Sequence, residues 1–467
     1  MHNGASQNGH GAVMTPTAIG DDLFDKGKLR GKKFRNTVII LGILTLLGII
    51  GFALRVIDTI GDGTHNTPIW GYHAALFAFI LTAAQGAPMV AIAPRIAKAH
   101  WRRSISRIAE LFGLVGVVSF LIYIPVAWVL PSMEDGRRTL WFYGELKVPA
   151  HMPEVTTTLV LLALTITGLV LLWVSAMPDF AMLRDRTTGS KQRWFAWLAR
   201  GWIGSSKQWH WQKHRLGIVG AFYFMMLITA HFAYSVDFGM TLVPGWIDAL
   251  YPATHAHNSL QSGVAITLIA MYVLYRFGGY KDYITLDQFW GLGKLLFALS
   301  LLWFWFWFSS FIIFWFGAKP AEEAVLDLLF VGPYLWIVFI VFIFAFFVPL
   351  WSMIWNPLRK SVWGPVTIAS GVLVATMFDK IRLYVAAFSV SDLPNKHELV
   401  DILPGAVMPG VPDVLIWVGG ISACILIYML ATRIIPPINV WEQKEVTLYR
   451  IHKPFHRTEV QILGKPD

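Results

Sequence analysis

Apolar runs of about 20 residues recur ten times along the chain, separated by polar or charged connections. A helix needs roughly 20 residues to cross about 30 Å of hydrocarbon, so each run predicts one membrane-spanning helix. The predicted spans are 37–57, 71–93, 107–130, 155–177, 214–235, 258–277, 289–316, 330–355, 362–380 and 412–433. The pattern therefore predicts an all-α polytopic membrane protein.

The positions of the polar residues divide these spans into two groups of four. Spans two to five predict a first four-helix bundle over 71–235, and spans six to nine predict a second bundle over 258–382. Because four is even, the two bundles would have the same orientation, as in parallel repeats. Spans one and ten, 37–57 and 412–433, are expected to flank the bundles.

Lysine and arginine are concentrated in alternate connections. The segment 1–36 contains six of them between Lys26 and Arg35, and the connections after spans two and four are also basic. Basic connections stay on the cytoplasmic side, so both termini are predicted to be cytoplasmic. The loops 236–257 and 383–411 lie on the other side and are predicted to be periplasmic.

The two ends of the chain carry further signals. No cleavable apolar segment precedes span one, so no signal peptide is expected. The tail, 434–467, holds two alternating runs at 445–451 and 458–462. These runs predict a small cytoplasmic hairpin or a strand lent to a partner.

Composition excludes a soluble globular protein, since 56% of the residues are hydrophobic, 14% are charged and the mean hydropathy is +0.56. The formal charge of +10 is interpreted as loop cations that meet anionic lipids, with no nucleic-acid partner. A single cysteine, Cys424, excludes a disulfide framework and an iron-sulfur cluster held by this chain alone. Phosphate-loop and hydrolase motifs are missing, so nucleotide binding and hydrolysis are not expected.

Ionisable residues lie at both predicted rims of the bundles, a placement typical of proton, ion or ligand pathways. At the outer rim are His73, His231 and Asp237 in the first bundle, and His257, Asp379 and Arg382 in the second. At the inner rim, Glu110 and Lys294 each lie a turn or two inside the bilayer. Neutral polar side chains lie between the rims and predict water-bridged proton paths.

Other interpretations of these residues stay open. His73 and His231 could bond carbonyls or headgroups, act as bases towards quinol, or ligate haem b, although a second histidine pair is missing. Glu110 and Lys294 could reach the inner headgroups or pair with a loop. A secondary transporter would also fit parallel repeats, but no pair of spans is broken at the midplane in the predicted pattern.

Four ordered motifs resemble the polysulfide-reductase NrfD family. They are MPDFAMLRDR at 177–186, KQW at 207–209, SVDFGMTLVPGW at 235–246 and YITL at 283–286. Within the family the chain is most similar to the two NrfD-like subunits of bacterial alternative complex III, which oxidises quinol. The resemblance implies two four-helix bundles in a subunit that binds no cofactor itself.

The same resemblance implies a set of partners. They would be a sibling NrfD-like subunit, an iron-sulfur protein, multihaem cytochrome c subunits and small membrane subunits, together with lipids. The partners would hold the iron-sulfur clusters and haems. Menaquinone or another quinone could bind at the edge of this chain.

The chain departs from the quinol-oxidising member of that complex at two places. Where that member has Gly-His-x-Gly in span two, this chain has Gln85 before Gly86, and after span three the acids come only at Glu134 and Asp135. Glutamine cannot take a proton from a quinol hydroxyl at neutral pH. The difference favours the F-type over the C-type subunit, contributing structure and a proton path. The alternative is a quinol-binding catalytic subunit with His73 or His231 as the base.

Overall fold

A computed structural model describes residues 15–28, 31–62, 67–130, 139, 149, 151–390, 400, 402–455 and 458–463. Its helices are α1 (Pro16–Lys28), α2 (Lys32–Asp62), α3 (Gly71–Ala83), α4 (Met89–Ile96), α5 (Ser106–Glu110), α6 (Val115–Val129), α7 (Met152–Arg186), α8 (Gly189–Ala199), α9 (Ser206–Asp237), α10 (Tyr251–Phe277), α11 (Leu286–Gly317), α12 (Pro320–Leu326), α13 (Leu335–Phe342), α14 (Val348–Met353), α15 (Asn356–Arg359), α16 (Trp363–Val390), α17 (Val411–Ala431) and α18 (Val440–Tyr449). The strands β1 (Arg450–Phe455) and β2 (Thr458–Leu463) pair antiparallel.

The predicted all-α membrane fold is confirmed. In the described part of the chain, eight helices are long and apolar enough to cross a membrane, and they match predicted spans one, three to eight and ten. Spans two and nine correspond to α3 with α4 and to α16. Local signals also agree: Ser205 accepts a bond from the N–H of Gln208, and Gln208 accepts one from Ser205, so a capping box starts α9.

The prediction of span two as one continuous helix over 71–93 is wrong. α3 ends at Ala83, and the chain turns over 84–88 before α4 begins. Pro88 has no N–H with which to continue the helical hydrogen bonds. Gly86 lies where an added Cβ would overlap the carbonyl oxygen of Ser259 in α10. The break therefore occurs at a close contact between the two bundles.

Several helices extend beyond their predicted bounds, and two of these extensions move candidate residues into a helix. Span six begins at Tyr251 rather than 258, so the outer loop predicted over 236–257 shortens to 238–250. Span nine continues to Val390 rather than ending at 380, which places Asp379 and Arg382 inside α16. The charges are tolerated there because Arg382 donates to Asp379 at 2.6 Å and to a backbone carbonyl at 2.6 Å.

At the C-terminus a hairpin follows the last helix. The predicted first strand, 445–451, is mostly helical, because α18 continues to Tyr449 and β1 begins at Arg450. Glu134 and Asp135 lie outside the described residues, as do 1–14 of the N-terminal segment and 391–399 of the second outer loop.

The two bundles contact each other through two equivalent pairs of helices. α3, the first helix of one bundle, packs on α16, the last helix of the other, and α10 packs on α9 in the same way. α3 and α10 also pack on each other between these contacts. His73 and His257 make equivalent hydrogen bonds in the two bundles. Nε2 of each lies 2.8 Å from a backbone carbonyl oxygen in the next span of its own bundle. These matching contacts agree with the prediction of two parallel repeats.

The flanking helices α2 and α17 pair with each other, and α17 packs on α3 and α6. Gly48 and Gly419 approach so closely that a Cβ on either would overlap the backbone of the other, as is common between membrane helices. Arg55 and Asp413 form a buried ion pair at 2.5 Å. Because α1 packs on α18, both terminal segments lie at one end, which we call the inner end.

Candidate functional site

Two histidines from different bundles meet in the outer half of the protein. His231 lies near the end of α9 and His255 in the second turn of α10, and their Nδ1 atoms are 2.7 Å apart. Nε2 of His255 lies 3.0 Å from the hydroxyl of Tyr384 in α16. All three side chains are buried. A chain of hydrogen-bonded titratable groups therefore crosses from the first bundle to the second.

A cavity of about 40 Å³ adjoins this chain on the side of the second bundle. Three buried polar atoms of its wall residues have no hydrogen-bond partner within the described chain: Trp246 Nε1, Asn258 Oδ1 and Arg382 Nε. Buried polar groups normally bond protein or water, and the space holds roughly three water molecules. The cavity suits water and is too small for a quinone ring.

Charges of both signs line the cavity. Asp379 bonds Arg382 at 2.6 Å and lies 3.7 Å from Nζ of Lys380. Asp248, from the outer loop, is half-buried at the wall and accepts a bond from the N–H of Leu250 at 2.8 Å. Burial raises the pKa of Asp248, although bonds from Leu250 and Ser310 oppose the shift. A carboxyl with a raised pKa in an outer loop can exchange protons with the cavity closer to neutral pH.

Neutral polar side chains continue inwards from the cavity. Asn258 donates to Gln261 at 3.5 Å, and Gln261 donates to Ser300 at 3.0 Å. Ser262 and Thr376 share a bond of 2.8 Å beside them. Further inwards, the second bundle is filled by an apolar cluster that includes Leu268, Met271, Leu292 and Leu296. The second bundle is therefore polar in its outer half and apolar in its inner half.

The first bundle carries a network of buried charges at its inner end. Glu110 has no exposed side-chain surface and pairs with Arg95 at 2.9 Å and with Arg107 at 3.4 Å. It also accepts a bond from the Ser175 hydroxyl at 2.5 Å. Arg107 contacts Asp179 at 3.2 Å. Glu110 therefore belongs to a buried ion network and does not reach the headgroups.

The C-terminal helix α18 also takes part in this buried ion network. Glu442 in α18 accepts a bond from Arg102 at 2.6 Å and lies 3.5 Å from Arg95. The N–H of Trp441 donates to Asp179 at 3.3 Å. Burial alone would raise the pKa of Glu442, but the two arginines lower it to about 2. The ionised carboxylate therefore holds α18 against the inner ends of the first bundle at neutral pH.

The other predicted outer residues lie apart from the histidine pair. His73 bonds the carbonyl of Ile122, and His257 bonds the carbonyl of Leu299. Asp237 is buried and accepts a bond from the Thr139 hydroxyl at 3.1 Å. Of the predicted residues, only His231, Asp379 and Arg382 are brought to the cavity or to the chain of groups beside it.

The last two predicted residues, Lys294 and Gln85, differ in their exposure. Lys294 is exposed on the bundle surface, with its ammonium 4.1 Å from the centre of the Trp290 ring, so it is not a buried end of a path. Gln85 is buried, and its backbone oxygen and Oε1 accept bonds from Tyr223 at 2.6 and 2.9 Å. The space beside Gln85 leaves no room for a water molecule. A protein hydrogen bond thus closes the middle of the first bundle.

Sequence reasoning missed His255, Tyr384 and Asp248. His255 lies in a segment predicted as loop, and Tyr384 lies four residues beyond the predicted end of span nine. A signal for His255 exists, because polar residues recur at helical spacing on one face of α10, at Tyr251, His255, Asn258 and Ser262. This stripe could have extended span six to Tyr251.

Fold and site together define an all-α, multi-pass membrane protein with a buried polar system in each bundle. No family model matches the chain, and no curated protein matches it. Across the described residues, no group of three or more His, Cys, Asp and Glu side chains could hold a metal ion. A functional assignment therefore depends on the sequence motifs and on the geometry of the site.

Proposed function

We propose that this chain is the F-type, NrfD-like membrane subunit of a quinol-oxidising complex of the alternative complex III type, and that it carries protons and not electrons. The observation that carries the proton role is the buried chain of His231, His255 and Tyr384 beside the charged cavity. The family assignment depends on the four sequence motifs. The chain would lie in a bacterial inner membrane with both termini in the cytoplasm.

Contacts made by the motif residues support a shared architecture. Asp179 bonds Arg107 and the backbone of Trp441, which ties α7 to the C-terminal segment. Trp209 packs against Trp441 in α18, with ring centres 5.5 Å apart. Another motif residue, Tyr283, donates to Asp22 at 2.6 Å and so binds α1 to the inner end. These residues join helices together, which is a reason for such motifs to recur in a family.

The buried polar side chains form two separate regions, one in each bundle. We call each region a half-path, because each would carry a proton through one half of the protein. The outer half-path lies in the second bundle, and the ion network at the inner end lies in the first. The two bundles are in close contact where the turn after α3 meets α10, at Gly86 and Ser259. Gln85 and Asn258 are the neighbours of these two residues in the chain. A proton that crosses the membrane would change bundles at this contact, since the inner half of the second bundle is apolar, and its passage would require the bond between Tyr223 and Gln85 to open.

The quinol-binding alternative is supported less well. The cavity is smaller than a quinone ring, and the amide of Gln85 is not a base for quinol oxidation. Quinone, haem and iron-sulfur chemistry are therefore proposed for the partner subunits and for the edge of this chain.

Co-purification tests the proposed assembly. A tagged chain extracted in mild detergent should bring down proteins that contain haem and iron, and their absence would reject the assignment. In proteoliposomes of the complex, His231→Asn is expected to lower the number of protons released per electron without loss of assembly. An unchanged ratio would leave His231 as a structural residue.

A further inference from the structure

The corner formed by α8 and the start of α9 combines exposed cations with exposed tryptophans at the inner end. The exposed cations are Lys191, Arg193, Arg200, Lys207 and Arg215, and the exposed tryptophans are Trp194, Trp197 and Trp211. The ion pairs of this region involve Arg184, Arg186 and Lys213 instead. This corner therefore presents positive charge that no acid of the described chain balances.

The backbone of the corner is firmly held. Trp173 in α7 donates from its indole to the carbonyl of Leu198 near the end of α8, at 3.0 Å. The side-chain oxygen of Gln208 accepts bonds from three successive N–H groups, those of residues 203–205. The exposed side chains thus project from a fixed frame.

The corner lies at the depth of the membrane interface. Trp173 is 13 residues before the end of α7, roughly 20 Å along the helix axis, so α8 folds back along α7 towards the hydrocarbon. Gln212 in α9 donates to the carbonyl of Val174 and so lies at the same level. Tryptophan and basic side chains are enriched at such an interface.

Arg200 has an unusual backbone at the centre of this corner. Its φ of 47° lies in the left-handed region, which is unfavourable for a residue with a Cβ. Its guanidinium lies 5.5 Å from the centre of the Trp197 ring. Guanidinium groups bind phosphate in a bidentate fashion. A glycine would fit the backbone of this position better but would offer no charge.

An exposed apolar stripe leads from the corner along α9 towards the outer end. Its members are Trp211, Ile218 and Phe222, each at least half exposed. The combination of cations, interfacial tryptophans and an apolar stripe matches both parts of a phospholipid. We propose that this corner is a binding site for an anionic phospholipid, with the headgroup phosphate on Arg200 and its neighbouring cations and an acyl chain along the stripe.

Retention of lipid by the purified full-length protein tests this site. Native mass spectrometry would compare phosphatidylglycerol with phosphatidylcholine of the same acyl chains. The variant Arg193→Gln/Arg200→Gly/Lys207→Gln should lose roughly tenfold or more of the phosphatidylglycerol affinity. The matched control Lys32→Gln/Lys33→Gln/Arg35→Gln removes three exposed inner-end cations that have no tryptophan near them in the sequence, and it should retain the lipid.

Several results would overturn the proposal. They are equal retention of the two lipids by the unaltered protein, equal losses in both triple variants, or displacement of phosphatidylglycerol by inorganic phosphate. Loss of an acidic protein partner with lipid retention unchanged would also overturn it, by making the corner a protein interface. If the triple variant does not fold, Arg200→Gly alone applies the test, since glycine accepts the same backbone conformation; it should still weaken phosphatidylglycerol retention.

Discussion

His231 and His255 share a hydrogen bond of 2.7 Å between their Nδ1 atoms, across the boundary between the two bundles. Such a bond needs one ring that donates and one that accepts, so the two imidazoles hold opposite roles at Nδ1. The pair takes up at most one extra proton in this geometry, because two Nδ1–H groups would face each other otherwise. Once the pair holds that extra proton, passing the shared proton across the bond exchanges the roles of the rings.

Gly86 fixes the distance between the bundles. Gly86→Ala should lower the free energy of unfolding by about 3 kcal/mol or more, because its Cβ would overlap the backbone of Ser259. The matched control is Gly42→Ala in α2, where an added Cβ meets nothing within 4 Å. Thermal unfolding in detergent measures both. Equal midpoints for the two variants would show that α3 and α10 do not approach as closely as described.

The ion pair of Arg55 and Asp413 attaches the first span to the last. Arg55→Met should destabilise the protein by about 3–5 kcal/mol, since it leaves a buried carboxylate without its cation. Adding Asp413→Asn should restore much of the loss, because the amide still accepts the N–H of Gly410. A double variant no more stable than the single one, by thermal unfolding, would argue against a buried charge at Asp413.

The docking of α18 against the first bundle should depend on pH. The pKa of Glu442 is about 2, below its ordinary 4.5, so the ionised form stabilises the docked segment. This contribution, about 3 kcal/mol, is complete above pH 4.5 and is lost as the pH falls towards 2. Hydrogen exchange of the α18 amides, corrected for intrinsic rates, should show less protection at about pH 3 than at about pH 6. The variant Glu442→Gln should lack this pH dependence, and its persistence there would assign the effect to another carboxyl.

The spans were predictable because a chain in hydrocarbon must satisfy its backbone hydrogen bonds internally, which favours long apolar helices. The break at 84–88 was not predicted from the sequence, although Gly86 and Pro88 lie within it. Its cause is the approach of α10, a tertiary contact that an apolar run does not report. His255 was missed for a related reason, since polar residues at the start of α10 resemble a loop until their helical spacing is considered.

The charged residues were harder to interpret than the apolar ones. Glu110 was predicted as a possible end of a proton path, yet its ion network is completed through Arg95, which also contacts Glu442, 347 residues further along the chain. Hydropathy reports the depth of a charge and carries no information on a partner so distant in sequence. Lys294 has a similar predicted depth but faces outwards over Trp290.

The most direct test of the proton role compares two histidines on one helix. His255 bonds His231 and lines the cavity, whereas His257, two residues later, bonds the carbonyl of Leu299. Protons released per electron would be measured in proteoliposomes of the complex carrying His255→Gln or His257→Gln. The proposal predicts a lower ratio for His255→Gln and an unchanged ratio for His257→Gln. An unchanged ratio for His255→Gln, or an equal fall in both variants, would contradict it.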